Sequence, residues 1–288
     1  MKQMSRKGNI SLPTFLPLKK SEQDEDKKAA VAICDMVTDN LENLESNPPQ
    51  DTDVIEIVGM SCRFPGNITD LHTFWKFLSE GKHVSETIPK NRWDNDALLD
   101  MQHNMTQAEK RRATNGAFVY DMESFDPSFF GISAVEARAM GPQHRVLLEC
   151  TFQAFSDADY TLDSLKGQAC GVFIGMRQNS NASKSGATTA YDATANTMSA
   201  AAGRVSFFFD LHGPCVAYDT AHSSSLVALN AAVSALKNGE CELALVAGVN
   251  ELFDPQDFLA FSAANMLSPT GRCHTWDSAA DGYLRGEA

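Results

Sequence analysis

The chain has 288 residues, 43% of them hydrophobic and 21% charged, the balance of an ordinary globular protein with a sizeable core. Its 24 basic and 37 acidic side chains leave a net charge of −13, which repels phosphate backbones and argues against a general nucleic-acid role. No membrane span is expected, because no apolar run reaches about 18 residues, and the N-terminus lacks the apolar stretch of a secretory signal.

Residues 1–50 read differently from the rest. "MKQMSRKGNISLPTFLPLKKSEQDEDKK" is polar and aperiodic, a disordered tail. Its first twenty residues lack acids and carry Lys2, Arg6, Lys7, Lys19 and Lys20, so an organelle transit peptide is the alternative to a cytoplasmic tail. Lys27 to Glu45 carries a loose stripe of Val31, Met36, Leu41 and Leu44, read as a surface helix or a docking helix. "SNPPQDTD" is a linker.

The domain expected over 51–288 opens with Val54–Val58, a β-branched run that reads as a buried strand. Thr69 or Asp70 caps a helix with Leu71, Phe74, Trp75 and Leu78 on one face and Gly81 behind it. "SAVEARAMGPQHRVLLECTFQAFSDADY" is helical with a break at Gly141 and Pro142. "ACGVFIGM" is a buried strand, and the small residues of "ANTMSAAAGRVSFFFDL" invite close backbone approach. Strand "PCVAYDT", helix "SSSLVALNAAVSALKNGE", strand "CELALVAGVN" and helix "DPQDFLAFSAAN" follow, and the final segment is loop-like. This alternation predicts an α/β fold with a mostly parallel sheet and helices on both faces.

Seven cysteines occur without C-x-x-C spacing and read as reduced, buried thiols of an intracellular protein. No His/Cys/Asp cluster has metal-ligand spacing, and no Walker or G-x-G-x-x-G loop is present.

The turn between "PCVAYDT" and the next helix carries His222, followed by Ser223, Ser224 and Ser225. A helix beginning there offers unsatisfied N–H groups that stabilise an anion or the oxyanion of a tetrahedral intermediate. The geometry suits acyl transfer by whatever side chain stands at the tip.

"VAYDTAHSSSLVALNAAVSALKNGECELALVAGVN" resembles the active-site segment of the β-ketoacyl synthases, the ketosynthase domains of polyketide and fatty acid synthases, which typically read DTACSSSL here. "IVGMSCRFPG", "FWKFLSEGK", "FDPSFFGISAVEARAMGPQHRVLLE", "GRVSFFFDLHGP" and "MLSPTGRCHTWDSAADGYLRGEA" resemble the family in the same order, most closely its modular polyketide branch. The resemblance spans about Val54 to Ala288. It implies a thiolase-like layered fold, here the first half and the start of the second. It implies decarboxylative Claisen condensation through an acyl-cysteine, assisted by two histidines of the later half. Malonyl and acyl thioesters would arrive on the phosphopantetheine arm of an acyl carrier protein, with no directly bound cofactor, and the domain would be a dimer.

Three departures follow from the same comparison. His222 stands at the position of the nucleophilic cysteine. The chain ends before the segments bearing the two histidines, and none of His72, His83, His103, His144, His212 or His274 has a matching context. Gly141 replaces an aspartate before Pro142 that would cap the helix.

An imidazole is a weaker nucleophile than a thiolate, and acyl-imidazoles hydrolyse quickly, so loss of condensing chemistry is expected. Cys215 reads as a buried thiol seven positions too early, and Ser223 as a capping group. A decarboxylation-only homologue is one alternative. A non-catalytic partner pairing with an active ketosynthase is the other. Residues 54–288 alone are expected to expose a large apolar face and to be insoluble or bind a chaperone.

Overall fold

A computed structural model describes residues 54–178 and 190–288. Ile55–Ala288 form one unit. The tail, docking helix and linker expected within 1–50 lie outside the described residues.

Asp70 caps α1 (Leu71–Ser79) by accepting from Thr73 N, and Gly81 follows it at φ +60°. Strand β1 (Glu86–Thr87) precedes α2 (Asn95–Met101) and α3 (Gln107–Arg112); it pairs antiparallel with β2 (Asn115–Gly116). Helix α4 (Ala134–Ala139) leads into α5 (Pro142–Asp157), and α6 (Leu162–Leu165) is a single turn. Central strand β3 (Cys170–Met176), a 3-10 turn (Ala190–Ala193) and α7 (Met198–Phe208) come next. The chain then forms β4 (Cys215–Tyr218), α8 (Ser224–Lys237), β5 (Leu243–Val249) and α9 (Pro255–Ala263).

The sheet has the order β4-β3-β5 and is wholly parallel, with Cys170 opposite Leu243 and Val172 opposite Cys215. Because side chains alternate along a strand, Val172, Ile174 and Met176 enter the core beneath α5 and α7. Phe173 points the other way, onto Ala228, Ala232 and Ala235 of α8. Both faces of β3 are therefore covered, which is why its sequence is continuously apolar instead of alternating. The alanines of α7 and α8 let those helices lie close to the strands. The layered α/β fold expected from the sequence is the fold observed.

Two local readings are corrected, those of Val54–Val58 and of Cys215. Val54–Val58 forms no strand; Ile57 is 70% exposed and the run has no ladder partner among the described residues. Strand propensity reports fit to a pleated surface, and here the chain runs along α5 instead. Met60 N donates to Asp157, Ser61 Oγ to the Cys150 carbonyl, and Arg63 pairs with Glu149 at 2.7 Å. The apolar face of α1 is not buried: Trp75 and Leu78 are exposed, and only Phe74 finds a ring partner, Phe64 at 4.8 Å. Strand β4 is an edge strand among the described residues, with Cys215 and Val216 exposed.

The break at Gly141 is as expected, with Pro142 at the first position of α5. Gly141 supplies no side-chain cap, and Glu251 accepts from Gln143 N at 3.1 Å in its place. A Cβ at 141 would stand 2.2 Å from Asn196 Oδ1, so an aspartate fits only if Asn196 moves.

The terminal segment is held by Glu287, whose carboxylate accepts from Arg92, Val119 N and Leu252 N. Burial pushes the Glu287 carboxyl pKa up, with Arg92 opposing the shift.

Candidate functional site

The site is built where β4 turns into α8. Asp219 Oδ1 accepts from Ala221 N at 3.1 Å, and Ala221 takes φ +58°, a conformation unfavourable for a residue with a Cβ. Ser224 locks the turn: its Oγ accepts from Thr220 N at 2.9 Å and donates to the Ala221 carbonyl at 2.6 Å. Ser223 occupies the cap position but in αR geometry without capping. Its hydroxyl donates back to the Thr220 carbonyl at 2.9 Å, so the capping role expected from the sequence is corrected.

Two glycines bring this turn down onto the sheet. A Cβ at Gly175 of β3 would lie 2.5 Å from Ser224 C and Ser225 N. One at Gly248 of β5 would lie 2.9 Å from Ser225 Cβ. The first turn of α8 thus rests directly on two strands.

His222 projects from this turn and is exposed. Its ring meets Tyr283 edge to face, with centroids 5.2 Å apart and planes at 86°. Among the described residues neither ring nitrogen has a hydrogen-bond partner, and the His222 backbone forms an isolated parallel bridge with Thr220.

Tyr283 was not singled out from the sequence, because it lies in a loop 61 positions beyond His222. Burial pushes its phenol pKa up. Beside it, Arg177 grips Asp257 with two hydrogen bonds of 2.6 and 3.2 Å, and Arg285 adds a third at 3.2 Å. Arg285 also lies over the rings of Phe258 and Phe261. This cluster anchors the terminal loop that brings Tyr283 to His222.

Cys215 starts β4, about 10 Å of strand away from the turn at a rise of about 3.3 Å per residue. It is exposed, against the expectation of a buried thiol, because among the described residues β4 has only one neighbour. Partial burial of the sulfur still pushes its pKa up, which disfavours the thiolate. Cys273 is exposed as well, whereas Cys62, Cys170 and Cys241 are buried as expected.

His144 is set differently from His222. It faces inward on α5, 1% exposed, with no partner for either nitrogen. Burial, then the charge of Arg204, lowers its pKa to about 4. His83 and His274 line a cleft of about 490 Å³ with Lys82, Arg272 and Cys273. None of these histidines makes a ring contact or hydrogen bond with His222. Among the described residues no three His, Cys, Asp or Glu gather to hold a metal, and no helix is long and apolar enough to cross a membrane.

A parallel sheet between helical layers, with a tight turn presenting one side chain at a helix start, defines a layered α/β protein. Residues 52–288 match the β-ketoacyl synthase N-terminal domain, and the chain belongs to that family. It is 42% identical over 244 residues to a component of the phenolphthiocerol/phthiocerol polyketide synthase of Mycobacterium bovis, covering 82% of this chain and 13% of that one. Against the lovastatin nonaketide synthase of Monascus pilosus it is 40% identical over 265 residues, covering 88% and 8%. Among solved structures, the ketosynthase from module 6 of the bacillaene synthase of Bacillus subtilis superposes with a TM-score of 0.69 at 36% identity, covering 80% of this chain and 38% of that one. The oxazolomycin ketosynthase domain of Streptomyces albus gives 0.70 at 34% identity, covering 80% and 40%. The chain therefore spans a small part of those synthases and well under half of each solved ketosynthase.

Proposed function

We propose that residues 51–288 are the N-terminal part of a polyketide synthase ketosynthase domain, preceded over 1–50 by a tail, a surface or docking segment and a linker. Its substrates in this reading are acyl and malonyl thioesters on the phosphopantetheine arm of an acyl carrier protein, met in the cytoplasm. The observation that carries the reading is the β4–α8 turn. Ala221 is held at φ +58° and leaves His222 exposed at the start of α8.

In the resemblance of "DTAHSSSL" to DTACSSSL, His222 stands at the nucleophile position. Condensation needs a stored acyl-enzyme that survives until the carbanion arrives. A thioester meets that need and an acyl-imidazole does not. We therefore read this domain as having lost condensing activity while keeping the geometry of an acyl-transfer site. Full-length protein and its H222C variant, each mixed with an acyl thioester and analysed by intact mass, test this. A stable acyl adduct is expected on H222C and not on the parent chain. An adduct that persists on the parent would overturn the loss of condensation, and its absence from H222C would overturn the site itself.

A second reading rests on β4. Its outer edge is unpaired among the described residues, with Val216 exposed and Phe207 of the adjoining α7 89% exposed. Such an edge is a template for pairing with another chain. A homodimer, or a heterodimer in which this chain is the non-catalytic partner of an active ketosynthase, would cover it. Co-purification with a catalytic homologue supports the heterodimer; a self-dimer alone counts against it.

A further inference from the structure

We infer that His222 makes this site an acyl-thioester hydrolase, releasing free acid from a carrier-like thiol. The inference rests on the reading of the β4–α8 turn as an acyl-transfer site, and it assigns that site a reaction of its own.

Three features favour turnover over storage. The imidazole is exposed, and neither nitrogen is tied to a hydrogen-bond partner among the described residues. One nitrogen is thus free to attack while the other can release a proton. Tyr283 packs edge to face against the ring at 86°, and the loop that carries Tyr283 is tied down by Arg285 and Asp257. Helix α8 begins two residues after His222, and the first-turn N–H groups of a helix can bind the oxyanion of a tetrahedral intermediate.

The chemistry balances without a further reactant. The unprotonated nitrogen of His222 attacks the thioester carbonyl, and the C–S bond breaks. The departing thiolate takes the proton that the imidazolium gives up, leaving a neutral acyl-imidazole and a free thiol. Water adds to that carbonyl, the C–N bond breaks, and a carboxylic acid and the original imidazole result. A cysteine at the same tip would stop after the first half, because its acyl product is again a thioester.

The test uses the full chain with a hexanoyl thioester of N-acetylcysteamine, following thiol release by a colorimetric reagent and hexanoic acid by mass spectrometry. Expected is catalytic, multiple-turnover release by the parent chain, lost to the uncatalysed background in H222A. H222C is expected to carry one stable hexanoyl group and to release little acid. His222 is exposed, so both variants are expected to keep the parent melting temperature. Release that persists in H222A, or none by the parent while H222C acylates, overturns the hydrolase and leaves the acyl-transfer reading standing. An H222C chain that folds and is never acylated overturns that reading, and the hydrolase with it.

Discussion

Gly175 is the residue on which the placement of the site turns, and G175A isolates its effect. The added Cβ would stand 2.5 Å from Ser224 C and Ser225 N and 2.8 Å from Ser224 O. All three are main-chain atoms, so no side-chain rotation relieves the overlap. To regain ordinary contact at 3.4 Å, the first turn of α8 must retreat from β3 by about 1 Å. Overpacking of this kind costs about 1–3 kcal/mol. For a domain of this size each kcal/mol lowers Tm by about 2–4 °C. A thermal melt of the full chain should therefore drop by several degrees. The retreat also carries His222 away from Tyr283, so H222C combined with G175A should be acylated more slowly than H222C alone. A melt within a degree of the parent, with acylation unchanged, would refute the close packing of turn on sheet.

G203A gives the opposite sign: Gly203 lies inside α7 with nothing within 4 Å of an added Cβ, and the change should stabilise by about 0.5–1 kcal/mol. A loss of stability on urea unfolding would contradict that. R92M leaves the fully buried carboxylate of Glu287 without its counter-charge and should cost about 3–5 kcal/mol; a cost under about 1 kcal/mol would show that the terminal loop does not depend on this pair. His144 has a folded pKa depressed to about 4 from 6.5, so its neutral form is the one the fold accommodates. The stability linked to it is present above about pH 6.5 and is lost as pH falls toward 4, by about 3 kcal/mol in all. Urea unfolding of H144Q at pH 7 and pH 5 should show a shallower pH dependence than the parent, and an identical slope would reject the assignment.

Much of the fold was legible in the chain because its signals are local. β3 and β5 are unbroken apolar runs closed by polar or glycine residues, and Gly141-Pro142 marks a helix start whatever surrounds it. Where the reading failed, the deciding partner lay far away in sequence. Val54–Val58 has the composition of a buried strand, but a strand needs a neighbour to pair with, and α5 offers carbonyls and carboxylates instead. Cys215 and Val216 look like core residues, yet their exposure follows from the order β4-β3-β5, which no property of "CVAY" encodes. His144 sits in a polar "PQHR" stretch. Its burial depends on which side of α5 meets Arg204 of α7.

The site divides along the same line. The "DTAHSSSL" stretch already contains the turn, since Asp219, Ser223 and Ser224 all bond to atoms within five residues of themselves. What it does not contain is the setting of the imidazole. Gly175 and Gly248 set the height of α8 above the sheet, and Tyr283 sets the angle of the ring. All three come from other strands or from the terminal loop. The same setting bears on the chemistry, because a nucleophile is defined by its neighbours as much as by its atom type. On the proposed reading a thiol at this turn would have stored an acyl group, whereas an imidazole in the same frame would make a bond that water breaks. The first half-reaction would then stay in place and the fate of its product would change, which is why acid release, and not the mere absence of condensation, is the measurement that separates a dead site from a redirected one.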